Sequence, residues 1–87
     1  MIESRGTRQF WRLFAALPED ARLAAQSAYR TFRSNPAHPG IQFKRLEGHD
    51  DVYSVRIGLG YRALGVMRKG RIVWYWIGTH ADYNRLV

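Results

Sequence analysis

The last third of the chain, VYSVRIGLGYRALGVMRKGRIVWYWIGTHADY over residues 52–83, admits few folds. Apolar residues recur there at every second position in three runs, which is the period of a strand with one face against a core. The runs break at 58–60 and 68–70, where glycines supply the backbone freedom that hairpin turns need. The pattern predicts a meander of three short strands, followed by a polar tail that carries His80, Asp82 and Tyr83.

If each break is a three-residue loop, Arg56 lies opposite Arg62, and Arg62 lies opposite Trp76. Arginines placed directly across a sheet repel each other, so such a pair is either left in water or shares an anion. The period of two puts Ser54, Leu64, Val66, Ile72 and Trp74 on that same face, the candidate functional face. The opposite face collects Tyr53, Val55, Ile57, Tyr61, Ala63, Gly65, Val73, Tyr75 and Ile77. Its small central Ala63 and Gly65 leave room for a helix, so it is the expected core face.

Upstream, residues 7–17 read as a helix with Thr7 as N-cap and Phe10, Leu13, Phe14 and Leu17 at helical spacing. Pro18 fits the first turn of a second helix, with Glu19 and Asp20 complementing the dipole at its start. That helix runs to about Arg33 on an apolar stripe of Ala21, Ala24, Ala25, Ala28 and Phe32, and stops before Asn35 and Pro36. Residues 35–40 are a loop, in which His38 reads as a surface residue, and the alternation over 41–46 predicts a further strand. The expected class is α+β: an N-terminal helical hairpin packed on a mostly antiparallel sheet of about four strands.

A chain of 87 residues closes one core, so residues 1–87 are expected to form one domain. With no cysteine, disulfides and thiolate metal sites are excluded. No apolar run is long enough to span a bilayer and the first residues are too polar for a secretory signal, so the expected location is the cytoplasm. Fourteen Lys and Arg against seven Asp and Glu give a net charge of +7. Three Trp, five Tyr and four Phe are interleaved with them. Positive side chains displace phosphate counterions and flat rings stack on bases, so the combination favours a polyanionic partner such as nucleic acid.

The order of helical hairpin, FKRL, VYSVRIGLGYRALGV and VWYWIGTHADY resembles the RelE/ParE superfamily of type II toxin-antitoxin systems. Tyr53, Arg56, Tyr61 and Arg62 match its Tyr-x-x-Arg, turn, Tyr-Arg pattern, and Ile77, Gly78, His80 and Tyr83 match its Ile-Gly-x-His-x-x-Tyr ending. The resemblance covers the chain from Phe10 onward. It implies two helices on one face of a twisted sheet, with a concave basic face left open. RelE-type members cleave mRNA in the ribosomal A site without a metal or other cofactor, and an antitoxin silences them. ParE-type members inhibit DNA gyrase on the same fold, so the site and not the fold must decide.

The RelE-type reaction needs a base for the 2′-hydroxyl, cations on the phosphate oxygens and an acid at the 5′-oxygen. The resemblance assigns Arg62 to the phosphate, with Arg56 second. It gives His80 a proton-transfer role and Tyr83 a contact to a base or phosphate, while Asp82 either orients His80 or faces water. Lys44, Arg45, Ser54 and Trp76 complete the expected RNA-binding set, with Ser54 standing where the RelE pattern has a lysine. Glu47 is the nearest carboxylate to the place where some members keep a glutamate base. Expected partners are a small acidic antitoxin from an adjacent gene, forming a hetero-oligomer with the toxin, and mRNA on the ribosome. Two other readings stay open: gyrase inhibition, and a non-catalytic domain that binds nucleic acid or antitoxin.

Overall fold

The structure is a computed structural model that describes residues 2–87. In chain order it contains β1 (Glu3–Gly6), α1 (Arg8–Ala15), α2 (Glu19–Ser34), a 3-10 turn (Pro39–Ile41), β2 (Lys44–Arg45), β3 (Val52–Ile57), β4 (Tyr61–Arg68), β5 (Arg71–Thr79) and α3 (His80–Leu86). The strands form one sheet in the order β1-β5-β4-β3-β2, with β1 parallel to β5 and the other pairs antiparallel. This is the α+β class read from the sequence, with five strands in place of about four.

Both N-terminal helices start within one residue of where the sequence places them. Thr7 caps α1 by accepting a hydrogen bond from the Phe10 N–H, and its own N–H donates to the Trp74 carbonyl, which ties the cap to β5. Pro18 stands at the N-cap of α2, one position ahead of the first turn, and Asp20 accepts from the Ala21 N–H. The expected strand over 41–46 shrinks to Lys44–Arg45, because Ile41 belongs to the 3-10 turn and Gln42 is left-handed at φ 45°. β1 went unforeseen. Its ESRG sequence carries no apolar alternation, and its place is fixed by its register with β5 and by a Glu3–Arg71 ion pair.

The two hairpins of the meander differ. The β3–β4 loop has three residues, and Arg56 pairs with Arg62 as expected. The β4–β5 turn has two residues, Lys69 and Gly70, both left-handed at φ 52° and 76°, the geometry that matches the twist of the flanking strands. A bulge follows: Gly65 pairs with Trp74 and Leu64 with Trp76, leaving Tyr75 as the extra residue. Gln9 donates to the Tyr75 carbonyl, so this bulge oxygen is satisfied.

The two-residue turn and the bulge together correct the face assignment of β5. Arg62 lies opposite Gly78, not Trp76, and Ile72 and Trp74 turn to the helix-covered face, whereas Val73 and Tyr75 leave it. Ile77, beyond the bulge, keeps its expected core position. The core is Phe32, Val55, Ile57, Ala63, Ile72, Trp74 and Ile77, with Phe32 edge-on to Trp74 at 5.6 Å between ring centroids. Gly65 allows this packing, because a Cβ there would stand 2.8 Å from Ile72 and Trp74. The helices leave a groove of about 400 Å³ between Phe10, Trp11 and Tyr29, floored by Val55 and Ile57. Among the described residues no helix is long and apolar enough to cross a membrane.

Candidate functional site

Arg56 and Arg62 are direct register partners on the face turned away from α1 and α2, since their neighbours Val55, Ile57 and Ala63 all belong to the core. Both are partly exposed. Among the described residues the ion pairs are Arg71–Glu3 and Arg85–Asp82, so no carboxylate neutralises the central guanidinium pair. Two unneutralised cations facing each other on a sheet favour an anion between or above them. Arg56 directs its Nε to the Gly58 carbonyl at 3.0 Å, which fixes the start of its guanidinium plane.

The chain's end closes round this pair. Thr79 caps α3 by accepting from the Asp82 N–H, and the His80 N–H donates to the Gly60 carbonyl at 2.8 Å. His80 is thereby fastened to the β3–β4 turn, with its side chain exposed. One helical turn on, the Tyr83 ring lies 6.1 Å from the His80 ring and 5.7 Å from the Arg62 guanidinium, within cation–π range. Gly78, opposite Arg62, leaves space for an indole: a Cβ there would fall 2.6 Å from the Trp76 ring. The structure thus gathers Arg56, Arg62, Trp76, His80 and Tyr83.

Other expectations need correction. The expected polar tail forms a helix, α3, and Leu86 and Val87 line a pocket of about 160 Å³ together with Leu64 and Tyr75. The basic face is therefore partly covered, with Leu64 3 % exposed. Ser54 is 2 % exposed, so it has no surface to offer RNA. Lys44 is exposed and pairs with Ser54 on the basic face, but Arg45 pairs with Tyr53 and so belongs to the opposite one. Asp82 pairs with Arg85 and does not orient His80. Glu47 lies exposed in the β2–β3 turn, and the exposed His38 accepts from the Gly40 N–H.

Burial raises the pKa of the Tyr75 phenol above its usual value. Among the described residues no three His, Asp or Glu side chains cluster to hold a metal ion. Sequence reasoning reads Gly78 as part of the terminal motif and gives it no part in shaping the site. Its signal was a glycine two places after a tryptophan on the same face of a strand.

The sequence profile of the ParE-like toxin domain matches residues 19–85. No curated protein matches the chain closely enough to be called a relative. Among solved structures, the RelB–RelE antitoxin-toxin complex from Methanococcus jannaschii aligns at TM-score 0.74 with 12 % identity, over 93 % of this chain and 95 % of that one. YafQ from E. coli aligns at 0.72 with 9 % identity, over 95 % and 98 %. The isolated E. coli RelE toxin aligns at 0.68 with 15 % identity, over the full length of both. At these identities the structures establish a shared fold, and the profile match over most of the chain establishes the lineage: this chain belongs to the family of ParE-like toxin domains and has the RelE-like toxin fold.

Proposed function

We propose that the chain is the toxin of a toxin-antitoxin pair that cleaves mRNA in the ribosomal A site, in the cytoplasm, and is held inactive by a cognate antitoxin. The observation that carries this reading is the Arg56–Arg62 pair, which has no carboxylate partner among the described residues and in which Arg62 stands beside Tyr83, with His80 next to it. In the reaction the 2′-oxygen bonds to phosphorus and the bond to the 5′-oxygen breaks. One proton leaves the 2′-hydroxyl and one reaches the 5′-oxygen, giving a 2′,3′-cyclic phosphate and a free 5′-hydroxyl. Arg62 offers a planar fork to phosphate oxygens that gain charge in the transition state, and Arg56 adds a second cation. His80 is assigned to one of the two proton transfers, since an imidazole both takes and gives protons near neutral pH. Tyr83 holds the Arg62 guanidinium by its ring face, and Trp76 and Lys44 extend the surface towards the RNA.

The antitoxin is expected to be acidic. The groove between α1 and α2 has an apolar floor with Arg5 and Arg30 among its walls, and an amphipathic segment with acidic flanks suits it. The Methanococcus jannaschii structure of the same fold is a RelB–RelE antitoxin-toxin complex, and so is the intact E. coli RelBE structure.

A second reading, gyrase inhibition, is favoured by the ParE-like profile and by buried Ser54 where a RelE-like site has a cation. One experiment separates them. The purified chain is incubated with mRNA-programmed ribosomes, and in parallel with DNA gyrase and relaxed plasmid. Cleavage within the A-site codon, lost in His80→Ala while antitoxin binding persists, supports the nuclease. Inhibited supercoiling, unchanged by His80→Ala, supports the gyrase reading.

A further inference from the structure

The β3–β4 turn, Gly58-Leu59-Gly60, holds the most conspicuous apolar group on the surface: Leu59 is 88 % exposed, against 59 % for Leu23 and 55 % for Trp11. Single exposed leucines are ordinary in soluble proteins. This one differs in how it is held. The Arg56 guanidinium donates to the carbonyl before it, that of Gly58, and the His80 N–H donates to the carbonyl after it, that of Gly60. Gly58, left-handed at φ 57°, also sits against α2, where a Cβ on it would be 3.7 Å from the Ala24 methyl. A turn with two glycines would otherwise be loose. Here it is braced by two hydrogen bonds, and both come from members of the candidate site.

We propose that Leu59 is a positioning residue for RNA: a fixed apolar tip against which an unstacked base next to the cleaved phosphate rests. The inference rests on the nuclease reading. Proteins that bind single-stranded RNA splay its bases on to apolar or flat side chains, and leucine wedges separate stacked bases elsewhere. With the phosphate at Arg56 and Arg62, the neighbouring base needs a surface that is apolar and does not yield. The Arg56 hydrogen bond to Gly58 couples the two, because the group that meets the phosphate also sets the height of the tip. A protein partner would find the same leucine, but would gain nothing from a tip anchored to the phosphate-binding arginine.

The test uses the full chain on mRNA-programmed ribosomes, comparing the parent with Leu59→Ser and Leu59→Met. Leu59→Ser is expected to raise KM about tenfold, the scale of losing a buried leucine contact, with kcat and melting temperature near parental. Leu59→Met, apolar and of similar volume, is expected to restore most of the loss. Parental KM in Leu59→Ser overturns the inference and leaves the nuclease reading standing. So does weakened antitoxin binding with unchanged cleavage, which would make the tip a protein contact. No cleavage by the parent overturns both.

Discussion

The two faces of the central sheet are cut from the same alternating strands and do opposite work. On the helix-covered face, Ile57, Ala63, Ile72 and Ile77 are at most 3 % exposed and Phe32 closes over them. On the other, Arg56 and Arg62 are register partners with no carboxylate paired to them among the described residues, and α3 lies across part of the surface. A fold gains nothing from two arginines placed directly across a sheet, which weaken the strand pairing. The covered face explains why the chain folds. The other face holds charge that folding does not require, and binding a phosphate gives it a use.

Substitutions on the two faces should therefore fail in different assays. The largest effect is expected for Phe32→Ala on the covered face, with a loss of about 3–5 kcal/mol that leaves a domain this small largely unfolded. A melting temperature close to parental would show that the covered face is not the core. Two glycines then sharpen the contrast. Gly65→Ala pushes a methyl into Ile72 and Trp74 and is expected to cost about 1–3 kcal/mol in urea unfolding. Gly78→Ala drives the half-buried Trp76 ring off the strand beside Arg62. Its main effect is expected on cleavage and on tryptophan fluorescence, with a smaller loss of stability. Equal losses of stability from both would erase the distinction between the faces.

The smallest effect concerns pH. Burial raises the folded-state pKa of Tyr75 above its value in the unfolded chain, so the folded state keeps its proton longer. Stability from this group is whole below the usual tyrosine pKa of about 10 and falls as the pH rises beyond it. Chemical denaturation of Tyr75→Phe between neutral pH and pH values above that range should show a shallower alkaline decline than the parent. An identical decline would mean that other groups set it.

How much the sequence disclosed can be read from the two hairpins. The β3–β4 loop keeps an unbroken period of two on both sides, so alternation alone placed Arg56 against Arg62. The β4–β5 hairpin pairs a two-residue turn with a bulge at Tyr75, and these two local choices moved Trp74 to the core and Gly78 opposite Arg62. Periodicity has no term for a shorter turn or an extra residue, so alternation alone assigns Trp74 and Ile72 to the wrong face. Ser54 differs for another reason: alternation gives its face correctly but not its burial, since Ser54 lies in β3 between its register partners Lys44 and Leu64. The short polar β1 gave no signal at all, because its parallel partner lies at the far end of the chain. Of the site, the residues carried by short motifs, Arg56, Arg62, His80 and Tyr83, come together as the sequence led one to expect, whereas Arg45 and Asp82 do not.

The proposed function turns on one phosphate shared by the two arginines that pair across β3 and β4. A double-mutant cycle on the single-turnover cleavage of ribosome-bound mRNA tests it, using Arg56→Ala, Arg62→Ala and the double variant. Arg62→Ala is expected to slow cleavage about 10²–10³-fold with the melting temperature held, and the double variant to lose much less than the product of the single losses. Parental cleavage in Arg62→Ala, or losses that simply multiply, would contradict a phosphate held between them.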